Sequence, residues 1–269
     1  MLICPLCQSP LAANPSGLAC ANRHQFDRAR QGYYNLLPVQ HKNSRDPGDN
    51  GAMVEARRRF LSAGHYAPLA ERLAQLAAGY APARWLDIGC GEGYYTEQIA
   101  RALPDADGYG LDISREAVKR AAKRTPQLTH MVASMARVPL TEASCQLLAS
   151  VFSPLDWNEA RRLLAPGGGL LRMGPTQVHL MELREKLYEQ VRDYDDQKHL
   201  SLIPAGMRLA HSETLQYRLP LASPEARADL LAMTPHGWRA SAEKREQVIA
   251  SPFEVTVSIR YDWIERTQD

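Results

Sequence analysis

Two sets of residues in this 269-residue chain have the types and spacing for chemistry. The first is Cys4, Cys7, Cys20 and His24, a C-x2-C-x12-C-x3-H pattern. Two residues between the first pair let both thiolates of one turn face a single ion, and the second pair, on a later turn, completes a tetrahedron. A closed Cys3His set of this kind is a structural zinc site with no open position for substrate. The metal would supply the folding energy that so short a module lacks. His41 and His65 are rival fourth ligands further along the chain. The alternatives are free thiols or a redox C-x-x-C, but the redox motif sits in a βαβ unit and none surrounds this one.

The second set is Trp85-Leu86-Asp87-Ile88-Gly89-Cys90-Gly91-Glu92-Gly93-Tyr94. Gly89, Gly91 and Gly93 alternate after a short apolar run and before a helical stretch, the layout of a nucleotide-type cofactor loop. Asp87 and Glu92 make the loop acidic. Carboxylates repel a pyrophosphate and attract a ligand bearing an ammonium and a sulfonium, so the loop points to S-adenosylmethionine and methyl transfer. The second strand of such a unit ends in an acid that holds the ribose hydroxyls. Asp112 ends Gly110-Leu111-Asp112 and is that acid, with an ordinary strand-end aspartate as the alternative. Ser134, after the third strand, lies where adenine would lie; it is equally a plain loop serine. Cys90 and Cys145 are assigned no chemistry. The sulfonium is an activated donor, so positioning supplies most of the catalysis. A nitrogen acceptor carrying a proton also needs somewhere for that proton to go. Asp156, Asn158 and His179 stand at the mouth as candidates, with helix capping as the alternative role, and the catalytic group stays open.

These side chains need a frame. Apolar strand-like runs recur at 84–89, 107–112, 128–133, 145–152 and 168–174. Helical stretches at 94–103, 115–124, 156–165 and 179–192 alternate with them, which predicts an α/β fold with a doubly wound, mostly parallel sheet. Two helices are expected over 51–79, with Met53, Ala56, Phe60 and Ala63 as the first apolar stripe and Leu69, Leu73 and Leu76 as the second. Residues 166–169 read as a turn into the fifth strand, 213–219 and 253–261 as late strands, and Ser223-Pro224-Glu225 as a helix start. Residues 1–37 are expected to form the metal module, 38–50 a polar linker and 51–269 the enzyme body.

The apolar fraction of 45% suffices for a core. No apolar run spans a bilayer, and the N-terminus carries no export leader, so a cytoplasmic protein with no membrane partner is expected. Five cysteines fit a reducing compartment better than a disulfide scaffold. Net charge is +2 but uneven: residues 1–60 carry eight Lys/Arg against four Asp/Glu. A basic front end suits an anionic partner, and a solvated face is the plain alternative. Lys42, Arg45 and Arg57-Arg58-Arg59 could meet phosphates, and Phe26, Tyr33 and Tyr34 could stack on unpaired bases.

Beyond these sets the chain carries HQFD at 24–27, GYYNLLPVQHK at 32–42, SRDPGD at 44–49, AGHY at 63–66, HLMEL at 179–183, and MTP at 233–235 with WR at 238–239. Together with CPLC at 4–7 and the glycine loop, these resemble the bacterial 23S rRNA (guanine-N1)-methyltransferase family over nearly the full chain. The resemblance implies a Rossmann-like class I methyltransferase with a small zinc-ribbon-like N-terminal module that reads RNA. It implies methyl transfer from S-adenosylmethionine to N1 of a guanine in a hairpin loop of 23S rRNA, by a homodimer with an RNA cleft between subunits. It places zinc on Cys4, Cys7, Cys20 and His24, and cofactor contacts on Tyr66, Gly91, Glu92 and His179. After the fourth strand the chain departs from the family's pattern, reading Ser153-Pro154-Leu155-Asp156-Trp157-Asn158. The family has branches that methylate neighbouring guanines, one tied to macrolide resistance; the housekeeping branch of Gram-negative bacteria is the one favoured here. Two other functions compete. A methyltransferase for a small metabolite would have no use for the metal module, and a non-enzymatic zinc RNA-binding protein would not keep the loop and Asp112 intact.

Overall fold

A computed structural model of the chain describes residues 2–38, 50–192 and 194–268. His41, Lys42 and Arg45 lie outside these residues, as does most of the expected linker.

The N-terminal part holds a three-stranded antiparallel sheet of β1 (Leu11–Asn14), β2 (Gly17–Cys20) and β3 (Gln25–Asp27). Next come β4 (Tyr34–Asn35), α1 (Gly51–Ser62), α2 (Ala67–Ala78), β5 (Arg84–Ile88), α3 (Tyr94–Ala102), β6 (Asp107–Asp112), α4 (Arg115–Arg124) and β7 (Thr129–Val132). The remainder is β8 (Cys145–Val151), α5 (Trp157–Leu163), β9 (Leu164–Pro175), α6 (Met181–Leu187), β10 (Met207–Leu221), α7 (Pro224–Met233), α8 (Pro235–Arg239), α9 (Ala242–Ala250) and β11 (Phe253–Arg266). The large sheet runs β10-β11-β9-β8-β5-β6-β7-β4. Strands β4 to β9 are parallel, while β11 lies antiparallel between β9 and β10.

The five expected parallel strands are present because burial on both faces makes each an apolar run; β5, for instance, buries Trp85, Leu86, Asp87 and Ile88. Helix α4 starts where expected, with Ser114 Oγ accepting from the Ala117 N–H. In α1 the buried face is Val54, Ala56, Phe60 and Leu61, so Phe60 and Ala56 of the expected stripe are core. Four elements differ in their bounds. Strand β9 begins at Leu164, so residues 166–169 lie within it as an irregular stretch, not a preceding turn. Helix α6 stops at Leu187. Strands β10 and β11 run longer than expected, β10 from Met207 and β11 on to Arg266, paired from Met207↔Arg266 to Leu221↔Phe253 around a bulge.

The metal module is fastened to this sheet. Tyr34 and Asn35 pair in parallel with Met131 and Val132 of β7. Leu2 bridges to Leu140, and the Ile3 N–H donates to the Pro139 carbonyl. Cys4, Leu11, Leu18 and Leu36 pack in one apolar cluster with Leu86, Leu111 and Met131 of the sheet. Tyr33 is 3% exposed, and its hydroxyl accepts from Arg115 Nε. Its expected stacking on RNA bases is therefore corrected: the ring is core.

Candidate active site and metal centre

Cys4 and Cys7 lie on the turn before β1, Cys20 ends β2 and His24 precedes β3. Each pair is folded back by backbone bonds, from Gln8 N–H to the Cys4 carbonyl (2.8 Å) and from Arg23 N–H to the Cys20 carbonyl (3.0 Å). Gln8 and Arg23 take left-handed conformations, φ 61° and 64°, to close these turns. The four ligand atoms lie within 4.8 Å of one another. Cys4 Sγ and Cys20 Sγ are each 3.4 Å from His24 Nδ1, and Cys7 Sγ is 3.7 Å from Cys20 Sγ. A tetrahedron of zinc bonds of about 2.0–2.3 Å has edges of about 3.5–3.8 Å, close to these three separations, so the donor set fits zinc. Hydrogen bonding, first from Ser9, lowers the Cys7 thiol to about 5. His65 packs against Phe60, with 4.5 Å between ring centres, and is not in the cluster.

A cleft of about 1110 Å³ opens at the C-terminal ends of β5, β6, β7, β8 and β9. This is the ligand side of an open parallel sheet, where the strand order turns back between β5 and β8. The glycine loop forms its floor. The Gly89 and Cys90 N–H groups both donate to the Leu111 carbonyl, tying the loop to β6. Gly89 has φ 80°, and a side-chain carbon there would collide with Ser153 Oγ, so the position admits only glycine. Gly91 also has φ above zero, with open space beside it. Asp112 fixes the next turn: Oδ2 accepts from Gly91 N–H at 3.0 Å and Oδ1 from Ser114 N–H at 2.7 Å.

Asp87 is buried. Its Oδ2 accepts from Thr96 Oγ1 at 2.6 Å, and its Oδ1 has no partner within the chain. Burial pushes this carboxyl up to about 7, helped by nearby Asp112 and opposed by Thr96. Glu92 is 3% exposed, with Oε2 accepting from Arg124 Nη2 at 2.8 Å and Oε1 unpartnered. Burial raises its carboxyl, and Arg124 opposes the rise. The loop is thus less negative than its residues suggested: Asp87 is near half-protonated at neutrality and Glu92 shares a guanidinium. Tyr66 is buried with an unpartnered hydroxyl. Four orphaned polar atoms, Asp87 Oδ1, Glu92 Oε1, Tyr66 OH and Tyr95 OH, therefore belong to residues lining one cleft. Buried polar groups require partners. A ligand carrying hydroxyls, an ammonium and a carboxylate offers them, so the residues fit S-adenosylmethionine.

Of the cofactor candidates, Tyr66, Asp87, Gly89, Gly91, Glu92, Asp112, Ser134 and His179 all line the cleft. Gly93 does not; at φ 89° it packs against Ala121 of α4 and begins α3. Burial, then His236 and Arg184, depress the His179 imidazole to about 3, so the ring is neutral. Its Nδ1 accepts from the Ser258 N–H at 3.3 Å, which leaves the proton on Nε2. His179 is thus a donor and not a proton acceptor. Asp156 caps α5, its Oδ1 accepting from Glu159 N–H, and Asn158 is exposed on that helix's first turn. Neither lines the cleft; the capping alternative describes Asp156, while Asn158 is a surface residue within the helix.

Phe152, Arg172, Tyr194, His236 and Trp238 also line the cleft, and none of them was expected there. Phe152 follows β8 and immediately precedes the Ser153–Asn158 departure, and Trp238 belongs to the WR pair at 238–239, so a signal lay beside one and on the other. The Arg57–Arg59 run is largely spent within the protein. Arg58 pairs with Glu55 at 2.7 Å, Arg59 with Asp229 at 2.5 Å, and Arg57 donates to the Met233 carbonyl.

Residues 2–45 match the zinc-ribbon family described as "RlmA, N-terminal", and residues 86–168 match "Methyltransferase domain". A Streptomyces fradiae protein, the 23S rRNA (guanine(748)-N(1))-methyltransferase, is 37% identical, covering 97% of this chain and 95% of that one. A Micromonospora griseorubida protein with the provisional name 23S rRNA (guanine-N(1)-)-methyltransferase is 35% identical, covering 96% and 95%. The crystal structure of MccD protein covers 74% of this chain and 98% of its own at TM-score 0.52 and 16% identity, a likeness of fold alone. With a full-length relative at this identity, and both its metal module and its methyltransferase region matched, the chain belongs to the 23S rRNA (guanine-N1)-methyltransferase family.

Proposed function

We propose that this protein transfers a methyl group from S-adenosylmethionine to N1 of a guanine in a hairpin loop of 23S rRNA. One observation carries the reading: a Cys3His centre and an acid-lined cleft stand on one chain whose whole length parallels a relative named for that reaction. S-adenosylmethionine, when bound, supplies a methyl group already activated on a cationic sulfur. Asp87, Gly89, Gly91, Glu92 and Asp112 hold that ligand, with Gly93 shaping the turn. Tyr66 and His179 close over it as donors, and Ser134 meets the adenine. Zinc held by Cys4, Cys7, Cys20 and His24 fixes the module over 1–37, which residues 38–50 join to the body over 51–269. Exposed Arg23, Arg28 and Arg30 give this module a basic face for phosphates. A second, mainly basic groove is lined by Arg58, Lys119, Arg120, Lys123 and Arg124 together with Glu92 and Glu116, its three arginines already paired with carboxylates. Among the described residues no helix is long and apolar enough to cross a membrane. A cytoplasmic location and a homodimer complete the proposal, the latter resting on family resemblance; a particle of 30.0 kDa by light scattering would remove it.

Purified protein with labelled cofactor should label 23S rRNA from a strain lacking the native enzyme, and primer extension should then stop at one guanine. That position identifies the branch. Label entering only small molecules would favour a metabolite methyltransferase, and cofactor binding with no transfer would favour a non-enzymatic RNA-binding protein.

Asp87 gives a pH signature. Its carboxyl is held at about 7, above the usual 3.8. A cationic ligand against it favours the carboxylate, so binding below that pH expels a proton. Cofactor affinity should therefore rise about tenfold from about pH 6 to about pH 7.5, the ionised fraction changing by that factor. Asp87→Asn should flatten this rise. Calorimetry in buffers of different ionisation heat reads the released proton; equal pH profiles for wild type and variant would remove Asp87 from the cofactor's charged end.

A further inference from the structure

Among the described residues the exposed large apolar side chains include three aromatics, Phe152, Tyr194 and Trp238, and all three line the cleft. The other exposed members, Leu6, Val178, Leu202 and Leu209, do not. Phe152 is 41% exposed and has φ 51°, a left-handed backbone that bulky residues rarely adopt. Two contacts hold it there. Its N–H donates to the Met173 carbonyl at 2.9 Å, and the next residue, Ser153, is pressed against Gly89 of the cofactor loop. The chain thus turns the wrong way for a phenylalanine at the point where β8 meets the donor site. Strain of this kind collects where a side chain must be aimed. The ring stands among the Tyr66, Tyr95 and His179 rings, at 6.4, 6.1 and 6.4 Å between centres, and lies nearly parallel to His179, with 27° between their planes.

Trp238 stands at the rim, 52% exposed. Helix α8 reaches α7 through Gly237, where any side chain would strike the Leu231 carbonyl. The indole N–H is spent on the Ala232 carbonyl at 3.3 Å. What Trp238 offers the cleft is a flat apolar face.

We propose that Phe152 is the face on which the acceptor guanine stacks once it has left its own base stack, and that Trp238 holds a neighbouring unpaired base at the rim. This rests on the RNA reading above. N1 lies on the pairing edge of guanine, so an enzyme reaches it only in an unpaired base, and unpaired bases are held on aromatic faces. An aromatic wall beside the donor loop suits that ligand, whereas a flexible aliphatic metabolite would gain nothing from it.

The test compares Phe152→Leu, Phe152→Tyr and Trp238→Ala with wild type. Steady-state transfer to unmethylated 23S rRNA and calorimetric cofactor binding are both measured. Phe152→Leu keeps apolar bulk without a π-face and should lower kcat/KM for RNA by about 10- to 100-fold, the usual weight of one base–aromatic stack. Its cofactor affinity should stay at the wild-type level. Phe152→Tyr should restore transfer. Trp238→Ala should raise KM for RNA and leave kcat. Wild-type rates for Phe152→Leu would overturn the proposal. So would a fall in its cofactor binding equal to its fall in transfer, since the ring would then serve the donor. Failure of the RNA reading itself shows separately, as wild type that binds cofactor and labels no rRNA.

Discussion

Cys7→Ala should release zinc completely and abolish methylation of 23S rRNA, while cofactor binding by the body largely survives. The thiolate removed belongs to a closed set of four, three of whose separations are close to the edges of a zinc tetrahedron. Structural zinc of this kind contributes about 10–16 kcal/mol to folding a small module, far more than three short strands can supply. The N-terminal sheet has only β1, β2 and β3, of four, four and three residues. Without metal its basic face loses its shape. The cofactor loop hangs from β5 and β6, whose ladders run to each other, to β8 and to β7, so their backbone bonds involve no residue of the three-stranded metal module. Metal analysis, RNA methylation and cofactor calorimetry on one preparation check all three parts. Wild-type zinc content in the variant would overturn the ligand assignment, and unchanged RNA methylation after zinc loss would overturn the module's role.

Asp112→Ala should weaken cofactor binding by about 100-fold or more and reduce transfer in step. Two backbone N–H groups, of Gly91 and Ser114, converge on this one carboxylate. Hydrogen bonds to a charged group contribute about 1.5–3 kcal/mol each, so losing two costs about 3 kcal/mol of loop order, before any ribose contact is counted. Asp112→Asn separates the two effects. Its carboxamide oxygen can still accept one of the backbone bonds, so binding should fall between wild type and Asp112→Ala. Affinity equal to wild type in the alanine variant would remove Asp112 from the site. Because both variants leave the metal centre untouched, zinc content should stay constant and serves as the folding control.

The parallel strands were legible because both faces of each are buried, which writes them as unbroken apolar runs. The metal set was legible because zinc imposes spacing on residue types. Strand β4 was not, since two residues carry no period. The full span of β10 was not either: it lies at the sheet's edge and mixes exposed and half-buried positions over most of its length. In the site, Asp87, Asp112 and the glycines announced themselves by local order. Arg124 beside Glu92 did not, because 32 residues separate them and only the fold joins α4 to the loop. Phe152 was hidden for another reason. Its importance lies in a dihedral angle and in exposure, neither of which a Val-Phe-Ser-Pro string displays.

The two-residue pairing of Tyr34–Asn35 with β7 has a consequence for expression and storage. At the opposite margin, β10 carries charged Arg208, Glu213 and Arg218, the guard that edge strands commonly use against unwanted partners. β7 reads Thr-His-Met-Val and has no charged residue of its own. The short strand from the front of the chain screens that bare ladder. A truncated protein beginning at the catalytic body would therefore clump through strand-to-strand self-association, and its loss of soluble yield would reflect an uncovered margin, not a defect in methyl chemistry.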